Sequence, residues 1–469
     1  MKYINRKHLF IKILSFVVII LGINTQICTV NAKKSGNKQT TMVIHNRSSK
    51  KDATHQIQAA IDKLASNGGG KLTIDTGTYH LKYLNLKSNL ELHLDHGTKL
   101  VFSDKFSDYP AVNTRYEGSQ IKMHHPDIYG NKVHNVSITG SGTLDGNGKA
   151  WWKMYNDAKN GPLKQATSTP LKYTRPFLIA FDYSSNIKIT GIKLINSPAW
   201  TIHPLESDNV LIQGITIDNP LDSPNTDGID PESSSDVKIL NNTISDGDDC
   251  IAIKSGIETT IPKSSCHNII IANNLMQHGH GGVVLGSEMS GDIENVVINS
   301  NVFDHTDRGI RMKTRRGRGG TINNISVSNI IMQDVLTPLA INEYYGKSGA
   351  VSENYLSTQK QPINAGTPTI KNVSLSDITA TGVSSVAGFV YGLPESPVAN
   401  LTLTNYSVTM APNAIPQKPE MITNGKKFAD AGFWMENTNN VHFNGVNVYG
   451  ANTGIFVHNF NNTGLVHNN

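Results

Sequence analysis

The chain has 469 residues, 17% of them charged, with 42 basic side chains against 37 acidic ones and a formal charge of +5. Four of the basic residues (Lys2, Arg6, Lys7, Lys12) crowd the amino terminus with no acid among them, which leaves 38 basic against 37 acidic residues beyond it. A nearly neutral chain with only local basic clusters argues for a charged pocket and against general affinity for nucleic acid.

Those cations precede a largely apolar run from Leu9 to Ile23 and then Val30-Asn31-Ala32, the layout of a secretory signal peptide over residues 1–32. Export to the extracellular space is expected, with no membrane association after cleavage, because a span needs about 20 unbroken apolar residues. No later segment is apolar for that long. Cys28 would leave with the leader. Cys250 and Cys266, 16 residues apart, then either form one disulfide, contributing about 3 kcal/mol in the chain-entropy model, or remain two buried thiols.

Residues 33–50 read as a polar lead-in and 51–469 as one domain. Its first element is a helix over 52–67, with Ile57, Ala60, Ile61 and Leu64 at i, i+3, i+4 and i+7, a polar start at Asp52 or Thr54, and Gly68-Gly69-Gly70 as its stop. No other segment reads as a convincing helix. From residue 89 onward one phrase recurs: Asn or Asp, alternating apolar residues, a small polar turn, then a second short apolar run. It reads NVSITGSGTL at 135, NIKITGIKL at 186, NVLIQGITI at 209, DVKILNNTI at 236, NIIIANNLM at 268 and NVVINSNVF at 295. A repeat of this length built only from strands and turns is a parallel β-helix, whose exposed first coil the 52–67 helix would cap. The repeated Asn suits corners that need the left-handed conformation, and side-chain ladders between coils.

Four polar strings recur at about one coil each: Asn225-Thr226-Asp227, Asp248-Asp249, Gly279-His280-Gly281 and Arg311-Met312-Lys313. Asp227 precedes Asp248 by 21 residues, which suggests vertical neighbours on one outer face. Three carboxylates, an imidazole and two cations on that face fit hydrolysis of an acidic polysaccharide: the leaving oxygen needs a proton and the water needs a base. Like-charge repulsion should raise the pKa of one aspartate and give an acidic pH optimum. Alternation sends Arg311 and Lys313 outward and Met312 inward, and a solvated basic face is the alternative reading for the run that continues through Arg315, Arg316 and Arg318. No metal or other cofactor is expected, since no His/Cys/Glu cluster has ligand spacing and the Asp246–Asp249 run lacks the remaining ligands of a calcium loop.

The strings SPNTDGIDPESS, DGDDCIAIKSG, GHGGVVLGSEMSG and RGIRMKT, with TRYEG at 114–118 and NSPAWTIHP at 196–204, resemble polygalacturonases, glycoside hydrolase family 28. The resemblance implies an all-β fold, a single right-handed parallel β-helix. It implies Asp227, Asp248, Asp249 and His280 as catalytic residues, with Asp248 the proton donor and Asp227 and Asp249 holding the water. Inversion at the anomeric carbon would follow, with carboxyl groups about 6.5–9.5 Å apart. It further implies Asn225, Gly279, Arg311, Lys313 and Tyr345 as substrate-binding residues, although Tyr345 could equally serve in packing. The expected partner is polygalacturonate or pectin oligosaccharide, met by a monomer. The GSEMSG and TRYEG strings lean toward exo-acting members. Competing readings are a calcium-dependent pectate lyase, a non-catalytic polysaccharide-binding solenoid, and a hydrolase of the rhamnose-containing pectin backbone.

Overall fold

The corner residue of each coil adopts a conformation that few side chains tolerate: φ is +55° at Asn135, +56° at Asn186, +52° at Asn209 and Asp236, +58° at Asn268 and +56° at Asn295. Asn and Asp accept this left-handed geometry because a short polar side chain can bond locally. These amides also join coil to coil. Asn135 donates to Asn89 (2.8 Å), Asn186 to Asn135 (2.9 Å), Asn209 to Asn186 (2.8 Å) and Asn268 to Asp236 (3.0 Å). A second, buried ladder runs through Asn242, Asn274 and Asn301 at 2.9–3.0 Å.

The computed structural model describes residues 40–45, 52–163, 169–346, 352–422 and 425–468 of the chain. The leader expected over 1–32 and most of the lead-in over 33–50 lie outside the described residues. From Thr40 on, the residues form a compact unit, a parallel β-helix with three columns of strands. One column includes Ser185–Thr190, Asp208–Gln213, Ser235–Leu240, Cys266–Ala272 and Ile293–Asn299, all parallel. A second stacks Lys193–Ile195, Thr216–Asp218, Thr243–Ser245, Leu275–Gln277 and Val302–Asp304. The third holds Ile179–Asp182 and Ile202–Leu205, then Asp249–Ile253, Gly281–Gly286, Arg308–Lys313 and Thr337–Asn342. Inward residues stack in register, so that Ile187, Val210, Val237, Ile269 and Val296 form one fully buried row. Each such side chain stabilises the fold by about 1.5–3 kcal/mol.

Helix α1 (Thr54–Ser66) buries Ile57, Ala60, Ile61 and Leu64 against the first coils, as the spacing predicts. The Asp52 carboxylate accepts the Thr54 N–H at 2.9 Å. At the other end the N–H groups of Gly69 and Gly68 return to the carbonyls of Leu64 and Ala65, a Schellman stop made possible by φ of +87° at Gly68. A second helix, α2 (Lys149–Lys159), was not foreseen. Its apolar stripe is narrow, and its main anchor is Trp151, buried among Phe106, Tyr109 and His124.

An antiparallel hairpin, Ala111–Tyr116 with Ser119–His124, leaves the coil and lies over the outer face of the third column. Its Tyr116, Ile121 and Met123 pack with Phe177, Ala180 and Trp200. Of the two readings open for Cys250 and Cys266, the structure gives the second: both are buried free thiols, and the candidate disulfide is not formed. Cys250 lies in a third-column strand and its thiol donates to the His278 carbonyl (3.0 Å). Cys266 opens a first-column strand and its thiol faces the Pro231 carbonyl (3.5 Å).

Candidate active site

The polar strings converge because the third column keeps its register. Single bridges join Ile202 to Ile229 and Ile229 to Ile251, so the segment after Asn225 takes a strand's place in the stack. Counting back from that pairing sets Asp227 level with Asp249, and the Gly228 N–H donates to the Asp249 carbonyl at 3.0 Å. The vertical neighbour of Asp227 is therefore Asp249, one residue beyond the Asp248 that a 21-residue interval suggests. Above them Asp249 pairs with Gly281, Val284 with Arg311, and Gly286 with Lys313. Cys250 and Ile251 both enter the core, so strict alternation breaks there and Asp249 is left facing outward.

One carboxylate oxygen from each of Asp227, Asp248 and Asp249 lies within 4.8 Å of the others. The trio is more crowded than an inverting pair standing about 6.5–9.5 Å apart, so spacing alone does not dictate the stereochemical outcome. The environments of the three differ. Burial penalises the Asp249 anion, but Lys313 and Arg311 outweigh it and hold this carboxyl well below the usual range; Lys313 Nζ donates to Oδ2 at 2.7 Å and Arg311 Nη1 to Oδ1 at 3.2 Å. Burial and the neighbouring Asp249 charge raise the pKa of Asp248, against the opposing charges of His280, Lys313 and Lys254. Burial, with Asp248 and Asp230, pushes Asp227 up strongly despite Lys254.

Arg311 and Lys313 both point outward, with Met312 fully buried between them. Neither cation is free. Arg311 also forks onto Glu420, 109 residues away, through Nε at 2.8 Å and Nη2 at 2.5 Å, and the two arginine-bound acids leave it only part of its hydrogen-bonding capacity. The Tyr345 ring lies against both cations, 5.1 Å from Lys313 Nζ and 5.7 Å from the Arg311 guanidinium carbon. The basic run beyond them is not a solvated face. Arg315 and Arg318 are buried on Glu258, and Arg316 is buried on Glu395, because the strand enters a loop that folds over it.

His280 is oriented by Asp307, which meets its Nδ1 at 2.9 Å. That hydrogen bond raises the imidazole pKa against the effect of burial, with Asp248 and Asp249 adding to the rise. Gly279, at φ of +129°, allows the turn; a Cβ there would stand 2.7 Å from the Asp248 carbonyl oxygen. Asn225 Nδ2 approaches Asp248 Oδ2 at 3.4 Å, and its Oδ1 accepts from Arg175 at 2.8 Å.

Lys254 escaped the sequence reading. Its ammonium is buried, 3.3 Å from Asp230, 3.8 Å from both Asp227 and Glu288, and 4.7 Å from the centre of the Trp200 ring. Its place in DGDDCIAIKSG, two residues after the outward Ala252, was the available signal. Trp200 is largely buried but lines the cleft. His203 is framework, buried on Glu232 at 3.1 Å. Glu117 and Glu288 complete the acidic rim of a cleft of about 530 Å³ that holds all three aspartates, His280, Arg311, Lys313 and Tyr345. The arrangement places a carboxyl that can carry a proton beside one locked as an anion, in a groove with fixed positive charge. That combination suits acid- and base-assisted cleavage of an anionic polymer.

Comparison with known proteins agrees with this chemistry. Residues 70–426 match the family model described as Glycosyl hydrolases family 28. A probable polygalacturonase of Vitis vinifera is 32% identical over 376 residues, covering 77% of this chain and 72% of its own. An endo-polygalacturonase of Pectobacterium carotovorum subsp. carotovorum is 32% identical over 311 residues, covering 63% of this chain and 73% of its own. The crystal structure of a hyperthermoactive exopolygalacturonase from Thermotoga maritima superposes with a TM-score of 0.68 at 28% identity, over 87% of this chain and 93% of that one.

Proposed function

Because the chain belongs to glycosyl hydrolases family 28 and is a hydrolase of the polygalacturonase type, we propose that it cleaves α-1,4-galacturonosidic bonds by single-displacement hydrolysis with inversion. The observation that carries the reading is the split between two adjacent aspartates, Asp248 raised and Asp249 held down by Lys313 and Arg311. Asp248 gives its proton to the glycosidic oxygen as the bond to the anomeric carbon breaks and its electrons pass to that oxygen. Water adds to the anomeric carbon and loses a proton to Asp249, with Asp227, level with Asp249, holding the water. His280, fixed by Asp307, biases the charge of Asp248. Lys313, the remaining capacity of Arg311 and the Tyr345 ring receive the uronate, while Asn225 and the open backbone at Gly279 border the sugar.

A calcium-dependent elimination is disfavoured by the cations already present. Lys254, Arg311 and Lys313 stand within 3.8 Å of Asp227 or Asp249 and supply the positive charge a metal would bring. Attack at chain ends is supported by the hairpin. Its packing on Phe177, Ala180 and Trp200 covers the outer face of the third column on the amino-terminal side of the aspartates, where an endo enzyme needs an open groove. The leader expected over residues 1–32 supports action outside the cell.

The test is digestion of polygalacturonate in mildly acidic buffer, with and without chelator, following the anomer of the first product by proton NMR together with product length. Saturated monomer released from the outset in inverted configuration, indifferent to chelator, is the expected outcome. Unsaturated, chelator-sensitive products would overturn the hydrolytic reading. A ladder of mixed oligomers would overturn the exo one alone.

A further inference from the structure

The hairpin that covers the amino-terminal side of the cleft carries at its turn a carboxylate with no structural employment. We propose that Glu117 reads the free hydroxyls of the terminal sugar of the polysaccharide, a specificity role that rests on the exo reading above and deepens it.

The residues beside Glu117 are latched. Arg115, 1% exposed, donates to Glu206 at 3.0 Å, Glu232 at 3.3 Å and Ser233 at 3.0 Å. The Gly118 carbonyl accepts the Thr260 hydroxyl at 2.8 Å, and a Cβ on Gly118 would fall 2.5 Å from Ile257 and 3.2 Å from Glu288. Glu117 is thereby held in place between two fixed neighbours. The turn does not need it. With φ of +48° at Glu117 and +75° at Gly118, this is a left-handed pair that Asn-Gly fills with least strain, and glutamate is a costly choice there.

The side chain instead lines the cleft with Asp248 and Glu288. Asp249 is bound by Lys313 and Arg311, Glu288 faces Lys254, Asp307 faces His280 and Glu420 faces Arg311. The Glu117 carboxyl has no hydrogen-bond or ion-pair partner among the described residues. A carboxylate at the closed end repels a further uronate and accepts charge-assisted hydrogen bonds from hydroxyls. Within a chain the linkage consumes the hydroxyl that points onward. Only a terminal sugar offers it, as the 4-hydroxyl at the non-reducing end or the anomeric hydroxyl at the reducing end.

The experiment compares kcat and KM on three sets of short galacturonate oligomers: unmodified, 4,5-unsaturated at the non-reducing end, and reduced to the open-chain alditol at the reducing end. Wild type, Glu117→Gln and Glu117→Ala are measured on each. Wild type is expected to disfavour one modified set by roughly 10- to 100-fold, the loss of one hydrogen bond to a charged group, and which set suffers identifies the end being read. In Glu117→Ala that preference should shrink to within about threefold, carried by KM rather than kcat, with Glu117→Gln between the two. A wild type indifferent to both modifications, an undiminished preference in Glu117→Ala, or a change confined to kcat would each overturn the inference. If wild type releases a mixed ladder from polygalacturonate, the exo reading falls and takes this one with it. If it releases monomer while Glu117→Ala keeps its preference, only this inference falls.

Discussion

Lys313 Nζ meets Asp249 Oδ2 at 2.7 Å, with both groups nearly sealed from solvent. Two coils of the β-helix separate them in sequence, and the stacked register closes that distance. This contact keeps Asp249 ionised where burial alone would protonate it.

Lys313→Met should therefore do more than weaken binding. Losing the ammonium raises the Asp249 pKa, so activity that needs this carboxylate ionised is lost at a higher pH on the acid side. The acid limb of the kcat profile is expected to move up, while KM for polygalacturonate also rises. An acid limb that stays in place would mean Asp249 does not serve as the base.

Asp248→Asn removes the transferable proton but keeps the shape and the contact with Asn225. General acid assistance contributes about 10²–10⁴ in rate, and kcat on polygalacturonate should fall by at least the lower figure. Oligomer binding, measured by calorimetry, should persist. A variant that retains a tenth of wild-type kcat would remove Asp248 from the donor's role.

His280→Gln tests the charge placed beside the donor. Protonated His280 lowers the Asp248 pKa, so its removal lets that pKa rise. Activity is lost as pH climbs through the pKa of the proton donor, and the alkaline limb is expected to shift to higher pH in the variant, even as maximal kcat declines. Asp307→Asn, which withdraws the bond that raises the histidine pKa, should shift the limb in the same direction but less.

Lys254→Met leaves Asp227, Asp230 and Glu288 facing one another without their shared cation. Breaking a buried charge cluster costs about 3–5 kcal/mol, which should appear as a large fall in melting temperature at neutral pH. Burial already raises Asp227 and Asp230. The remaining acids accept protons as pH falls, so the deficit should narrow in acid. Equal destabilisation at both pH values would show that Lys254 matters for packing rather than charge.

What sequence conveyed was whatever local pattern dictates. Asn186, Asn209 and Asn268 mark corners because few residues accept their φ, and Val210 or Ile269 reveal the core by alternation within a few residues. The shared phase of Asp249 and Gly281 could be counted, although a one-residue error put Asp248 where Asp249 stands, since the coil after Asn225 pairs through single bridges rather than a full strand. Contacts between distant segments left no local trace. Nothing near Arg311 announces Glu420, nor does anything near Arg316 announce Glu395. Without the distant acids a solvated face stayed open for Arg315, Arg316 and Arg318. The cysteines stayed ambiguous for the same reason, because spacing along the chain says little about which column of the β-helix each thiol enters.

The corner ladder acts as a lengthwise ruler. Each coil is positioned by the side chain of the coil before it, so the stretches between strands can grow or shrink without displacing the residues stacked beyond them. The aspartates and the two cations form a floor of constant spacing, while outer segments such as the hairpin at 111–124 are exchangeable walls. Selection on product length can then act on the walls alone, and proteins that release quite different fragments can share one unaltered floor.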